Sequence, residues 1–347
     1  MHMADALLSP AVGGTFWAGT IGTIGYASKK LKEHPDDRKI PLMGVLGAFI
    51  FASQMINFTI PGTGSSGHLG GGMILAVLLG PHAAFLVMAS VLTVQALFFA
   101  DGGLLALGCN IWNLGIYPCF VACPLIYKPL AGDGRSAQRI LVASLASGIV
   151  GLQMGAFSVV LQTLLSGKTA LPFGTFLLMM QPIHLAIGIV EGFVTGGVIH
   201  YVRAARPEIL DSSASATPLA AGISLRNVMI GFVALAVVTG GALSWFASTH
   251  PDGLEGSIGK ITGKRGLPEQ DHGIPAALKS VQEKTAFLPG YGFKPPANEP
   301  KAKEGAPSWP NVDAGTSVSG LIGGVLVLAV VLGIGWLIRA FRRRSAP

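Results

Sequence analysis

An all-α polytopic membrane protein is the fold class this sequence predicts, and three observations carry the prediction. Half of its 347 residues are hydrophobic and only 12% are charged, a balance foreign to a soluble globule of this size. Apolar stretches bounded by charge or turn residues recur along the chain, with the length that a bilayer core of about 30 Å demands, about 20 residues as a helix. The basic residues gather in short segments flanking these stretches: Lys29, Lys30, Lys32, Arg38 and Lys39; Lys128, Arg135 and Arg139; Arg203, Arg206 and Arg226; Arg339, Arg342, Arg343 and Arg344. This is a positive-inside pattern. It accounts for the formal charge of +7 without nucleic acid as a partner; the partner it implies is the lipid bilayer.

Seven spans precede residue 204, at approximately 11–29, 40–57, 68–80, 83–100, 104–127, 137–165 and 173–202. The third is short and glycine-rich and is cut from the fourth by Gly80-Pro81, so it reads as a full crossing or as partly re-entrant. Basic connections follow spans one, five and seven, which puts the amino terminus on the extracytoplasmic side of a cell inner membrane. The segment holding His68, the turn Asp101-Gly102-Gly103 and the 166–172 turn then emerge on that same outer side. Residues 1–206 form a seven-span domain in this reading. Residues 207–222 change to a flexible polar run, a cytoplasmic linker. Residues 223–347 form a two-span block, with spans near 227–247 and 317–338 enclosing an extracytoplasmic segment at 248–316 and leading to a cytoplasmic carboxyl terminus. Eight basic and eight acidic residues with many Gly and Pro make that segment a small loop-rich domain or partly disordered.

Chemistry concentrates at the start. A free amino terminus followed by histidine, Met1-His2, can chelate a divalent metal through the α-amine, the amide nitrogen of His2 and Nδ1 of its ring. A planar set of strong nitrogen donors favours nickel or copper. His68, between Gly67 and Leu69-Gly70-Gly71-Gly72, supplies a candidate fourth nitrogen. The bulk of His2 is expected to protect Met1 from methionine aminopeptidase. The first apolar stretch lacks a basic n-region and a small-residue cleavage site, so the terminus is expected to persist. Against this stands the simpler reading, in which a loop histidine is a solvated polar residue.

Polar groups within spans are costly and raise functional suspicion. Gln54, Asn57, Gln95, Asn110, Gln181, His184 and Glu191 are the candidates, with Asp101 at a span end. His184 and Glu191, seven apart, share a helix face: they can form a second ligand set, a proton-linked pair or an interhelical hydrogen-bond network, or they can support His68. Cys109, Cys119 and Cys123 lack CxxC spacing and read as buried packing residues. No HExxH, GxSxG or GxxxxGK[ST] sequence occurs, so the chain is not expected to be an enzyme or to hydrolyse ATP.

Several of these stretches resemble one family: Met1 to Asp5, Ser53 to Asn57, Ser66 to Gly71, Gln95 to Gly103 and His184 to Gly192. They look like the motifs of the substrate-binding membrane subunit (NikM or CbiM) of energy-coupling-factor nickel and cobalt transporters, and the match covers residues 1 to about 203. Ala4 departs from the proline that many members carry. The resemblance implies metal held by the terminal amine, the amide and ring of His2, and His68. It also implies a transmembrane coupling protein and a cytoplasmic ATPase as partners. Pro251-Asp252-Gly253-Leu254-Glu255 resembles the signature of the accessory subunit fused to the same chain, which tilts the transported substrate toward nickel(II). The alternatives are a cobalt(II) importer for corrinoid synthesis and a proton-coupled secondary transporter with His184 and Glu191 as the relay. Asp252, Glu255, His250 and His272 can gather metal outside, although a Pro-Asp-Gly turn is the simpler reading.

Overall fold

The computed structural model describes residues 2–220, 222–264, 267–268, 272–294 and 309–345. The described chain is almost entirely helical. Helix α1 (Pro10–Glu33) starts where Ser9 Oγ accepts the Val12 N–H and a proline occupies the first turn, the position where a missing N–H costs nothing. Helix α2 (Lys39–Gln54) leads into a two-stranded hairpin, β1 (Phe58–Ile60) and β2 (Ser65–Gly67), paired antiparallel with Phe58 opposite Gly67 and Ile60 opposite Ser65. Helices α3 (Gly72–Leu79) and α4 (Pro81–Phe99) meet at Gly80, whose φ of 81° only glycine adopts freely. Helix α5 (Leu107–Ala131) widens into π-type turns over Trp112–Tyr127, where Pro118 and Pro124 remove two backbone donors from the ladder. The first block closes with α6 (Ala137–Ser166) and α7 (Phe173–Ala205). There follow α8 (Pro207–Ser215), α9 (Arg226–Gly241), α10 (Gly253–Thr262), α11 (Gly273–Thr285) and α12 (Ala314–Ser345).

Among the described residues five helices, α4 to α7 and α12, are long and apolar enough to cross a membrane. This is a multi-pass membrane protein, and its burial follows the bilayer's logic: α4, the central helix, is 78% buried over its apolar window, whereas α12, which is more apolar still, is only 28% buried. Leu165, Leu178 and Val325 point outward, where lipid rather than water solvates them. The helices of the first block pack through small residues, as is usual without a hydrophobic drive between them. A Cβ at Gly192 of α7 would lie 2.6 Å from Leu145 Cα of α6, so only glycine permits this approach. The last helix joins the same body, with Val327 and Val331 buried against α2.

Several expectations change. The 68–80 span is helical only from Gly72, and its eight residues rise about 12 Å. The glycine run before it holds a positive φ at Gly71 instead of helical geometry. It still carries the chain to the basic end of the bundle, because Gly80 lines the same cavity of about 350 Å³ as Lys30, Lys39, Lys128 and Arg339. Helices α2 and α9 are 16 residues each, shorter than the spans expected there, and α1 is less apolar than the five long helices. The 207–222 stretch is not simply a flexible run: α8 occupies its first half and buries Ile209 and Leu210 against α3 and α7. In the 248–316 stretch, α10 and α11 are ordered helices docked on the first block, while 295–308 lie outside the described residues.

Candidate metal site between the two blocks

The amino-terminal segment is threaded into the bundle instead of lying on it. Met3 is fully buried. Its N–H donates to Asn110 Oδ1 at 2.8 Å, and its carbonyl accepts from Gly103 N at 2.9 Å and from Asn110 Nδ2 at 3.3 Å. Asp5 Oδ1 accepts the Ala106 N–H at 2.9 Å. Gly103 is required here, since a Cβ would sit 1.8 Å from that same oxygen. The intramembrane amide of Asn110 therefore acts as a backbone mimic that fixes Met3, Ala106 N holds Asp5, and His2, next to Met3, has its side chain 7% exposed.

The loop bearing His68 is held from two sides. Glu191, 2% exposed on α7, accepts the Gly70 N–H at 2.7 Å and the Gly71 N–H at 3.2 Å. Gln54 donates to the Gly70 carbonyl at 2.8 Å, and Gln95 donates to Gln54 Oε1 at 2.8 Å. One peptide unit is gripped at both its N–H and its C=O by side chains from two helices, and Gln95 on a third holds Gln54. A charged acceptor makes the N–H contacts the stronger half of the grip.

These supports bring His2 and His68 together. Their rings stack, with centroids 5.1 Å apart and planes 7° from parallel. His68 Nδ1 donates to the Leu69 carbonyl at 2.9 Å, and His2 Nδ1 lies 3.1 Å from Asp101 Oδ1. An oxygen partner on Nδ1 fixes the tautomer that leaves Nε2 with a lone pair, the arrangement common to metal-ligating histidines. Both Nε2 atoms are buried and without a hydrogen-bond partner. Each such orphan costs about 1–3 kcal/mol. Burial is the main force holding His68 neutral, with its pKa pushed down to about 3, and the neighbouring His2 adds to it. Although burial opposes ionisation of Asp101, the His2 ring and the Tyr291 hydroxyl hold its carboxyl well below the usual carboxylate range.

The chelate expected from the sequence uses Nδ1 of His2. Here that atom faces Asp101, so closing the chelate requires the ring to turn about its Cβ–Cγ bond. Met1 lies outside the described residues. Among the described residues no three His, Cys, Asp or Glu side chains converge to hold an ion; the two imidazoles are the described side-chain donors.

The other predicted positions divide. Glu191 and His184 do not pair: His184 Nδ1 donates to Met180 of its own helix at 2.8 Å, and Glu191 serves the glycines. His184 nevertheless lines a small cavity together with His68 and Asp252. Asn57 contributes its carbonyl to Ser248 N at 2.7 Å, and its Oδ1 is unpaired. Gln181 joins α7 to Gln153 of α6. The three cysteines are buried and free. Asp252 caps α10 by accepting the Glu255 N–H at 2.7 Å, as the turn reading held, yet it also stands beside the histidines. His250 bonds locally to Ser248 and His272 precedes α11; neither reaches the site. Sequence reading passed over Asn113 and Gln162, which exchange two hydrogen bonds at 2.9 and 3.0 Å beside Met3, although both are polar groups inside spans. It also passed over Tyr291, whose hydroxyl donates to Asp101 Oδ2.

Comparison with known proteins decides the family. Residues 2–209 match the model of the cobalt uptake substrate-specific transmembrane region (CbiM), and residues 226–340 match the PDGLE domain. The chain belongs to the CbiM family. It is 30% identical to the fused nickel transport protein NikMN of Rhodobacter capsulatus, over 99% of this chain and 100% of that one. It is 35% identical to the putative fused nickel transport protein NikMN of Archaeoglobus fulgidus, over 66% of this chain and 75% of the relative. A solved structure described as a truncated transition metal transporter superposes with a TM-score of 0.53 at 31% identity, covering 59% of this chain and 99% of the other.

In this CbiM-family chain the PDGLE block is seated directly on the loops that carry His68 and Asp101. Ser66 N donates to the Pro251 carbonyl at 2.8 Å and Ser66 Oγ to the His250 carbonyl at 2.8 Å. From α11, Gln282 donates to the Ala96 and Gly102 carbonyls at 2.8 and 2.7 Å, and Thr285 to Leu97 at 2.8 Å. The backbone just before His68 and on both sides of Asp101 is thus tied to the second block.

Proposed function

We propose that this nickel/cobalt transport component captures nickel(II) at the outer face of the cell inner membrane, as the substrate-binding part of an importer driven by a coupling protein and a cytoplasmic ATPase. The observation that carries the reading is the pair of buried, unpaired Nε2 atoms on His2 and His68. A divalent ion that accepts the lone pair of His68 Nε2 recovers the cost of leaving it orphaned, and the turn of the His2 ring that presents Nδ1 to the ion takes its Nε2 out of its orphaned position. In the full ligand set the terminal amine of Met1 and the His2 amide and Nδ1 form the chelate, with His68 Nε2 as fourth donor. Asp101 then releases the His2 ring as it turns. Asn110, Gln54, Gln95 and Glu191 hold the two ligand-bearing segments in register. The basic ends around Lys30, Lys128 and Arg339 face the cytoplasm, and α10 and α11 lie outside. Residues 1–206 form the capturing domain, 207–222 the connection and 223–347 the accessory domain.

Titration calorimetry on the purified chain with its native terminus tests this. Wild type is expected to bind nickel stoichiometrically, with His2→Ala and His68→Ala each at least tenfold weaker. Wild-type affinity in both variants would refute the site. Cobalt(II) is the second reading, favoured by the family's cobalt-uptake description and by 30% identity to a cobalt transport protein CbiM of Sorangium cellulosum. Competition between the two metals in the same titration separates them. Reconstituted vesicles test the partners: the chain alone is expected to bind metal without ATP-driven uptake.

A further inference from the structure

Tyr291 belongs to the PDGLE block, yet its hydroxyl reaches into the candidate metal site of the first block. It closes a short turn, Pro289–Tyr291, tied to the end of α4 by the Leu288 N–H, which donates to the Phe98 carbonyl at 3.3 Å. Its backbone φ is 62°, a left-handed value that a bulky side chain rarely takes and that persists where the surroundings over-determine it. Those surroundings are aromatic: the ring stacks on Phe99 with centroids 5.1 Å apart and planes 18° from parallel, and meets Phe51 edge-on at 6.2 Å. So placed, the hydroxyl donates to Asp101 Oδ2, while Oδ1 of the same carboxylate lies 3.1 Å from His2 Nδ1. The backbone of Asp101 is fixed as well. Its N–H donates to the Gln95 carbonyl at 3.1 Å, and the carbonyl of the next residue, Gly102, accepts from Gln282 at 2.7 Å. What remains free is rotation of the carboxyl about its side-chain bonds, and the Tyr291 hydroxyl stops it.

We propose that Tyr291 is a specificity-determining positioning residue: it anchors Asp101 as a hydrogen-bond partner of the His2 ring and keeps the carboxylate out of the coordination shell of the captured ion. The proposal rests on the capture of nickel(II) by nitrogen donors and deepens it. When His2 turns its Nδ1 to the ion, Asp101 Oδ1 loses that partner and stands as an anionic donor beside a divalent cation. A carboxylate that followed the ring would add an oxygen to the planar nitrogen set and turn it toward the octahedral, oxygen-containing geometry that many divalent ions share. With Oδ2 held by a packed phenol, following the ring requires breaking a charge-assisted hydrogen bond, so the shell stays all nitrogen. The fused accessory block thereby contributes to the choice of metal without supplying a ligand.

Titration of the purified full chain, native terminus intact, with nickel chloride and with cobalt chloride tests the anchor through the absorption spectrum and the metal preference. Tyr291→Phe keeps the ring on Phe99 and loses the hydroxyl. It is expected to bind nickel with unchanged stoichiometry, to lose most of the yellow band of planar nickel, and to lower the nickel-over-cobalt affinity ratio roughly three- to tenfold. The double variant Tyr291→Phe, Asp101→Asn, whose uncharged amide is a weaker donor to the ion, is expected to regain the band; a merely structural role for Tyr291 would leave it lost. A wild-type band and ratio in Tyr291→Phe, no nickel binding by that variant, or no recovery in the double variant each overturns the anchor while metal capture by the wild type stands. If the wild type binds no nickel, or binds it without the planar band, the nitrogen-donor reading and the anchor fall together.

Discussion

Replacing Glu191 by glutamine keeps the shape of the side chain and removes the charge that grips the His68 loop. In the native protein the carboxylate accepts two buried N–H groups, at 2.7 Å from Gly70 and 3.2 Å from Gly71, and hydrogen bonds to a charged partner contribute about 1.5–3 kcal/mol. Glutamine has one oxygen. It keeps one of these bonds in neutral form, at about half the strength, and turns an NH₂ toward the other N–H. That second donor is left unpaired in a site too buried for water to replace the acceptor, at about 1–3 kcal/mol. The Gly70 carbonyl remains held by Gln54, so the loop is loosened rather than lost. A net cost of about 2–4 kcal/mol follows for the ordered loop. Because the proposed site needs His68 in place, part of that cost appears in affinity, and 1.4 kcal/mol is tenfold. Nickel titration should therefore give a Kd at least tenfold weaker for Glu191→Gln, with stoichiometry unchanged. A Kd within twofold of wild type would refute the assignment of Glu191 to loop positioning. If instead the variant bound normally and lost only a pH-driven transport step, Glu191 would belong to a proton path.

Adding one residue before Met1 moves the amine out of its chelate ring, so an uncleaved amino-terminal tag should weaken nickel binding severely while a carboxyl-terminal tag is harmless; native affinity in the tagged protein would end the terminal-amine reading. With the native terminus, nickel should show the yellow d–d band of a planar, diamagnetic nitrogen site, and an octahedral spectrum would contradict it. Gly192→Val should lower the melting temperature clearly, because its Cβ would meet Leu145 backbone at 2.6 Å and overpacking costs about 1–3 kcal/mol or more; Gly197→Ala, with open space at its Cβ, should melt like wild type. Single cysteines at Gly263 and Ser345 should label from opposite sides of the membrane, and labelling from one side would overturn the topology.

Hydrophobic length and the placement of Lys and Arg were enough to establish a polytopic helical membrane protein, because a bilayer imposes those features locally on every crossing segment. The same local rule marked Gln54, Gln95, Asn110, His184 and Glu191 as anomalous, since an uncompensated polar group in a span is expensive wherever it lies. Donor chemistry alone singled out Met1-His2 and the Gly-flanked His68 as candidates. What each polar side chain touches was not legible. Only packing joins Glu191 to Gly70, 121 residues away, in place of His184 on its own helix. Packing likewise puts Tyr291 on Asp101, 190 residues away. The turning of His2 Nδ1 toward Asp101, the shortness of α3 and the seating of Asp252 and Glu255 beside the histidines were settled in the same way. Hydrogen-bond partners at such separations depend on how close two backbones come. That distance is set by which small residues face each other across helices, as Gly148 and Gly192 do, and no single segment of the sequence contains both sides of the contact.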